Sequence, residues 1–130
     1  MDSGSKNYRP RVLVVDDESI IADTLTEILN KNGYEATAAY DGEEAIETAL
    51  VKPPHLLISD VMLPGMNGVE LATRMRRIFP ECKVLLFSGH TQTRELLLNS
   101  TNQSGHHFEL LSKPVHPADL LKRLATMLQD

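Results

Sequence analysis

The chain of 130 residues has a single cysteine, no tryptophan and only 5% aromatic residues. One cysteine excludes an internal disulfide and a metal site built from several cysteines, so Cys82 is interpreted as a small packing residue at the start of a strand. No apolar run reaches the roughly 20 residues of a membrane span, and residues 1–7 lack the apolar centre of a signal peptide. We therefore expect a cytoplasmic protein with no membrane partner.

Basic residues are neither abundant nor clustered. The net charge is −5, and the thirteen lysines and arginines are scattered apart from Arg74, Arg76 and Arg77, which are expected on the solvated face of a helix. Direct nucleic-acid binding by this chain is therefore not expected. With 42% apolar and 24% charged residues, the composition is typical of one soluble globular domain. We predict a loose tail over residues 1–10 and a single domain over residues 11–130.

Short apolar runs alternate with amphipathic patterns along the chain. The runs predict strands at about 11–15, 35–39, 56–59, 83–87 and 108–111. Helices are predicted at about 18–32, 42–50, 69–79 and 91–100, and from Pro117 onwards. This order predicts an α/β fold, a doubly wound five-stranded parallel sheet with helices on both faces.

The helix ends and apolar faces can also be assigned from the sequence. Gly33 is expected to cap the first helix, and prolines end the second and third. Leu50 and Ile78 are placed on the apolar faces of the second and third helices. Asp41-Gly42 is interpreted as a turn.

Polar residues follow four of the predicted strands. They are Asp16-Asp17, Asp60, Ser88 and Lys113-Pro114. Because the C-terminal ends of parallel strands meet at one edge of the sheet, we expect these side chains to form one site.

The chemistry of that site points to phosphoryl transfer. One or two carboxylates with water and phosphate oxygens suit Mg²⁺, so Asp16, Asp17 and Asp60 are the predicted metal ligands. Asp60 is the predicted phosphoacceptor, while Lys113 and Ser88 would donate hydrogen bonds to phosphoryl oxygens. Gly89 would leave room for the phosphoryl group.

Four segments resemble the receiver domain of two-component response regulators. They are Val12 to Glu18, Ser59 to Gly68, Leu86 to Gly89 and Leu111 to Pro114, and the similarity extends from about Arg11 to Met127. The resemblance implies a flavodoxin-like (βα)5 fold with strand order 2-1-3-4-5. It also implies that the backbone carbonyl of Met62 completes the metal ligands and that the bond before Pro114 is cis.

The resemblance further implies a signalling switch rather than an enzyme, with only self-phosphotransfer and autodephosphorylation chemistry. A histidine kinase or phosphotransfer protein would donate the phosphoryl group, and the altered surface would control an unidentified output protein or domain. In the family, the fourth helix, fifth strand and fifth helix form the contact surface, so a homodimer through that face is possible.

Two features depart from the family pattern. Leu110 stands where the family has an aromatic switch residue, and Phe108, two residues away on the same strand face, could partly substitute. The interval between Ser88 and Lys113 is longer than usual, with the extra length near residues 99–107. We expect partner specificity in that segment.

Alternative interpretations remain for the site and for the function. Asp17 could simply cap the next helix, and Lys113 could be a solvated charge. A phosphorylation-independent binding module is one alternative function. An aspartate-nucleophile phosphohydrolase is less favoured, because Met62 stands where such enzymes have a second acid. The histidines match no metal-ligand spacing and are expected in a surface loop: His90, His106, His107 and His116.

Overall fold

A computed structural model describes residues 8–89 and 108–129. The strands are β1 (Arg11–Val15), β2 (Glu35–Ala39), β3 (Leu56–Asp60), β4 (Lys83–Ser88) and β5 (Glu109–Ser112). The helices in the same ranges are α1 (Ser19–Lys31), α2 (Gly42–Val51), α3 (Gly68–Ile78) and α4 (Pro117–Met127). The predicted helix at 91–100 and the segment at 99–107 lie outside the described residues.

The five strands form one parallel sheet in the order β2-β1-β3-β4-β5. This confirms the predicted doubly wound fold and strand order. Chain direction across the sheet reverses at β1, since β2 lies on one side of it and β3 on the other. The gap beyond the C-terminal ends of β1 and β3 is therefore the topological switch point, where α/β proteins bind ligands.

The strand residues alternate between two apolar cores, one on each face of the sheet. Leu13, Leu57 and Leu86 pack on the face covered by α2 and α3. Val14 and Leu85 pack on the opposite face, which α1 and α4 cover. Burial on both faces explains why the central strands read as continuous apolar runs rather than as alternating patterns. Within residues 8–89 and 108–129, none of the helices has the length and apolarity needed to cross a membrane.

The helix termini follow the sequence with two refinements. Gly33 has φ of +95° after α1, which fits the predicted glycine cap because L side chains rarely adopt that conformation. Asp41 does more than form a turn, since its carboxylate accepts a hydrogen bond from the Glu44 backbone N–H at 2.8 Å and caps α2. Asp17 does not cap α1, because the N-cap residue is Glu18 and makes no side-chain cap bond.

Leu50 and Ile78, apolar residues of the second and third predicted helices, do not lie on the buried faces of α2 and α3. Leu50 is 60% exposed and Ile78 is 42% exposed. Both lie in the last turn of their helices, where the buried faces of α2 and α3 are already completed by Ala49 and Met75. The apolar pattern of a helix does not record where its contact with the sheet ends.

Arg76 is not on a solvated face as predicted. Its Nε donates a hydrogen bond to the carbonyl oxygen of Cys82 at 3.0 Å, and its guanidinium lies 5.4 Å from the centre of the Phe108 ring. Arg76 therefore joins α3 to the segments that begin β4 and β5, whereas Arg74 and Arg77 are exposed as expected. Cys82 is buried just before β4, and burial raises the pKa of its thiol to about 11.

His55 connects the N-terminal ends of three strands. Its Nδ1 accepts a hydrogen bond from the Arg11 backbone N–H at 2.9 Å. Its own backbone N–H donates to the carbonyl of Arg11 and its carbonyl accepts from the N–H of Lys83. Burial and the nearby charge of Arg11 hold the pKa of His55 below its ordinary value of 6.5. The charge of Glu35 acts in the opposite direction but does not outweigh them.

The lowered pKa of His55 predicts loss of stability in mild acid. The unfolded chain binds the proton first, so the contribution of His55 is fully present above pH 6.5 and is lost as pH falls through the folded pKa. Urea unfolding between pH 7.5 and 5 should therefore show a smaller loss of stability in His55→Gln than in the native chain. Equal slopes in the two proteins would contradict this assignment.

Candidate functional site

The predicted site residues come together at the C-terminal edge of the sheet. Asp16 directly follows β1, Asp60 is the last residue of β3, and Ser88 is the last residue of β4. The register pairs Ser88 with Ser112, which places Lys113 one residue beyond the same edge. The structure therefore collects residues that are up to about a hundred positions apart in the sequence.

Asp60 is held by two hydrogen bonds. Its Oδ1 accepts from the backbone N–H of Met62 at 3.1 Å, and its Oδ2 accepts from Nζ of Lys113 at 2.5 Å. The Asp60 side chain is only 12% exposed, so this ion pair is strengthened by partial removal from water. Lys113 is thus not the solvated charge of the simpler interpretation.

Burial alone would lower the pKa of Lys113, but the neighbouring acids outweigh it. The hydrogen bond and charge of Asp60, with the charges of Asp16 and Glu18, hold the pKa above its ordinary value of 10.5. Lys113 is therefore a permanent cation at this edge of the sheet at neutral pH.

Asp16 is the most deeply buried acid of the site, with 1% exposure. Its Oδ1 accepts from the backbone N–H of Glu18 at 2.9 Å, while its buried Oδ2 has no hydrogen-bond partner among the described residues. Burial raises the pKa of Asp16, and the negative charges of Asp60 and Asp17 raise it further. The hydrogen bond from Glu18 and the positive charge of Lys113 lower the pKa but do not outweigh these effects. A buried carboxylate oxygen without a donor is a position that a cation would satisfy.

The donor set suits a hard, strongly hydrated cation. Asp17 is exposed and Met62 is 48% exposed, so this side of the site is open to water. Over the described ranges, no three His, Cys, Asp or Glu side chains gather closely enough to form a complete protein cage. Mg²⁺ does not require such a cage, since it keeps several waters and binds through one or two carboxylates. The residues present therefore fit this ion.

Ser88 and Lys113 are joined through the backbone. The N–H of Lys113 donates to the carbonyl of Ser88 at 3.1 Å, and the bond between Lys113 and Pro114 is cis. A Cβ added at Gly89 would lie 3.7 Å from Cβ of Lys113, which is ordinary contact. Gly89 therefore sits beside the lysine stem without being crowded by it.

Comparison with known proteins identifies the family. Residues 12–125 match the family model for the response regulator receiver domain. The chain belongs to this family. Its receiver domain is that of a two-component response regulator, and its five-stranded sheet is the fold of the CheY-like members.

Relatives of this receiver domain include both short and long proteins. It is 32% identical over 118 residues to the response regulator receiver protein CpdR of Brucella abortus (strain 2308), which covers 91% of this chain and 96% of CpdR. It is 30% identical over 121 residues to the DNA-binding response regulator MtrA of Mycobacterium leprae (strain TN), covering 93% of this chain. The chain spans about half of that relative, 52% of its length.

Solved structures give the same assignment. A CheY-like receiver domain protein from Methanospirillum hungatei JF-1 matches with a TM-score of 0.81 and 28% identity, covering 93% of this chain and 94% of that one. The chemotaxis protein CheY4 of Vibrio cholerae matches with a TM-score of 0.81 and 30% identity, covering 93% of this chain and all (100%) of that one.

Sequence reasoning missed one residue of this receiver domain, Gly68. A Cβ at this first residue of α3 would lie far inside van der Waals contact with the carbonyl oxygen of Asp60 and 2.9 Å from Cα of Val61. Its N–H also donates to the carbonyl of Val61 at 2.9 Å. The start of α3 therefore lies so close to the end of β3 that only glycine fits at position 68. The sequence shows a glycine at this position but gives no indication of which atoms it contacts.

The proposed substitution of Phe108 for the missing aromatic at Leu110 was wrong in its geometry. The register pairs Glu109 with Leu85 and Ser112 with Ser88, so Phe108 lies at the opposite end of β5 from Ser88. The separation along the strand is about 13 Å at 3.3 Å per residue. Moreover, the Phe108 ring packs against the α2 and α3 face of the core and contacts Arg76. Leu110 itself is 39% exposed.

Proposed function

We propose that this receiver domain, over residues 11–130, is a phosphorylation-activated switch in which Asp60 accepts a phosphoryl group. The donor is a histidine kinase or a phosphotransfer protein carrying phosphohistidine. The observation that supports this most strongly is the buried Asp60 carboxylate paired with Lys113 beside a second buried acid, Asp16, whose Oδ2 has no hydrogen-bond partner within residues 8–89 and 108–129. The proposal makes the domain a phosphoacceptor rather than an enzyme that turns over a separate substrate.

The transfer step follows from the groups around Asp60. A carboxylate oxygen of Asp60 attacks phosphorus and forms an acyl phosphate, while the P–N bond of the donor phosphohistidine breaks and its electron pair returns to the imidazole. Lys113, already within hydrogen-bond distance of Asp60, would donate to a phosphoryl oxygen as the carboxylate loses its charge. Ser88 would donate its hydroxyl to another phosphoryl oxygen.

Repulsion between the acids and the incoming phosphoryl group requires further positive charge. Mg²⁺ held by Asp16, Asp17, Asp60 and the backbone carbonyl of Met62 would supply it. Asp16 is the best supported of these ligands, because its buried Oδ2 has no hydrogen-bond partner among the residues that the structure describes. Asp17 and Met62 are accessible enough to share the ion with water molecules.

The switch would act through Ser88 and Lys113. New phosphoryl contacts would draw both residues towards Asp60, and the backbone hydrogen bond between them would move the ends of β4 and β5 together. Changing a two-state equilibrium from 1:99 to 99:1 requires about 5.5 kcal/mol of differential stabilisation. Leu110 has no ring to bury or expose, so the readout of this domain would rely on backbone and loop changes.

The output partner is a protein or domain that recognises the changed surface. That surface would include β5 and α4, with a homodimer through this face as one form of output. Direct nucleic-acid binding is not part of the proposal for this chain.

Two alternatives have less support. A phosphohydrolase would need a general acid and base near Asp60, whereas Met62 occupies the position two residues later and has no titratable group. A phosphorylation-independent binding module would not require the buried Asp60–Lys113 pair or the unpartnered oxygen of Asp16. Neither alternative accounts for the whole arrangement.

Incubation with acetyl phosphate and Mg²⁺ tests the proposal, with intact mass as the readout. The native chain is expected to gain one phosphoryl group, about 80 Da, and the gain should disappear in EDTA and in Asp60→Asn. Asp41→Asn is the matched control, since it is the same chemical change at the same end of the sheet and asparagine caps helices as well as aspartate. Labelling of Asp60→Asn at the native level would exclude Asp60 as acceptor.

A further inference from the structure

A cavity lies at the opposite end of the sheet from Asp60. It has a volume of about 430 Å³ and is bounded by the residues that begin β1 and β4, by the segment before β3, and by the ends of α3 and α4. Pockets that hold small molecules typically have volumes of about 300–1,000 Å³. The cavity is therefore large enough for a small ligand, and none of the proposed phosphoryl-transfer residues lines it.

Residues with rings form much of the lining of this cavity. Four prolines and two aromatic side chains line it: Pro10, Pro53, Pro54, Pro80, Tyr8 and Phe79. Ile78 and Leu128 add aliphatic surface, and the exposure of Ile78 is thereby explained as part of this wall. Flat, rigid walls favour a flat apolar ligand, because such a ligand makes extensive contact at little cost in conformational entropy.

The polar groups of the cavity favour an anion. Arg11 and Lys83 both line it, and neither makes an ion pair with another described residue. Nε of Arg11 donates to the carbonyl of Pro53 at 2.7 Å, and Nζ of Lys83 donates to the carbonyl of Met127. Glu81 also lines the cavity, and Glu35, whose charge acts on Arg11 and His55, is itself paired with Lys52, so the lining residues carry two cations and one acid.

His55 also lines the cavity and is held in place by hydrogen bonds to the backbone. Its Nδ1 accepts from the backbone of Arg11, so the proton of the neutral ring is on Nε2. Tyr8 packs edge-on against the ring with centroids 5.8 Å apart, and backbone hydrogen bonds join His55 to Arg11 and Lys83. The cavity is thus held by the sheet itself rather than by a loop alone.

We propose that this cavity binds a small planar aromatic carboxylate, whose ring lies between the proline and aromatic walls and whose anionic group is met by Arg11 and Lys83. The site is separate from the phosphoacceptor edge, and the proposal does not depend on the phosphorylation chemistry. It assigns a role to a group of residues that the phosphoryl-transfer site leaves unused.

Naphthalene-2-carboxylate is a suitable probe, with the neutral naphthalene-2-carboxamide as its matched control. Titration followed by two-dimensional ¹H–¹⁵N NMR should show saturable shifts of the backbone signals of Arg11, His55 and Lys83 for the carboxylate. The carboxamide should bind more weakly, since it lacks the charge. Equal affinity of the two probes, or shifts that are not saturable or centre elsewhere, would overturn the proposal.

Variants separate the two parts of the recognition. Lys83→Met should weaken carboxylate binding by about fivefold, the upper range for one exposed ion pair, while Lys122→Met removes the same charge from exposed α4 surface and should leave it unchanged. Arg11→Gln provides an independent test of the charge, and Ile78→Ala should weaken carboxylate and carboxamide alike. If Lys83→Met and Lys122→Met weakened carboxylate binding equally, the attraction would come from the overall charge of the protein. That result would contradict a defined site.

Discussion

Gly68→Ala is expected to lower the free energy of unfolding by about 3 kcal/mol, at the upper end of the usual cost of overpacking. The added methyl group would overlap the carbonyl oxygen of Asp60 and approach Cα of Val61 to 2.9 Å. Both atoms belong to the backbone of β3 and of the residue after it, so neither can rotate away as a side chain would. Relief of the clash must move α3 or the end of β3, and either movement displaces Asp60.

The same substitution should therefore also reduce phosphoryl incorporation by more than its loss of stability explains. Urea unfolding and intact mass after acetyl phosphate treatment, at a temperature where the variant remains folded, would measure the two effects. Gly42→Ala is the matched control, because Gly42 is also the first residue of its helix and its new methyl group would meet the flexible side chain of Met66 rather than backbone. Equal behaviour of the two alanine variants would show that Gly68 does not position Asp60.

Asp16→Asn is expected to remove the response of the protein to Mg²⁺. In the native chain, Mg²⁺ at a hundred times its dissociation constant should stabilise the fold by about 2.7 kcal/mol, because it binds the folded state alone. The amide of the variant carries no charge at the position where Oδ2 of Asp16 is buried with no hydrogen-bond partner in the described part of the chain. In EDTA the variant should be more stable than the native chain, because it no longer buries a charge beside the charges of Asp60 and Asp17.

Thermal unfolding in EDTA and in Mg²⁺ would measure this change in both proteins. Asp41→Asn serves again as the control, since it removes one negative charge from the same end of the sheet while keeping the helix cap. It should retain the native response to Mg²⁺. If Asp16→Asn kept the full response to Mg²⁺, the buried carboxylate of Asp16 would not be a ligand of the metal.

The strands and the location of the site were predictable because both depend on local sequence. Val12 to Val15 is a largely β-branched apolar run that is followed by acids, and a second apolar run ends at Asp60. Each run predicts both a strand and the position of the acid at its C-terminal end. Parallel pairing then brings these strand ends together without further information. The order of the strands was implied by the family resemblance rather than by the runs themselves, and the sheet confirms it.

Features that depend on contacts between distant segments were not predictable. The tight approach of Gly68 to Asp60 arises only when α3 docks against the end of β3. In the sequence Arg76 looks like one of three solvated arginines, and only the structure shows its contacts with Cys82 and Phe108. Phe108 illustrates the opposite error, because two residues can share a strand face and still be too far along the strand to replace one another.

The central claim is that Asp60 is the residue that carries the phosphoryl group, and trapping the product tests it most directly. Acyl phosphates are reduced by borohydride to an alcohol, so treatment of the phosphorylated chain followed by tandem mass spectrometry would identify the modified residue. We expect homoserine at position 60, formed only when acetyl phosphate and Mg²⁺ are both present. Homoserine at position 16 or 17, or no reduced residue in a chain that has gained phosphoryl mass, would contradict it.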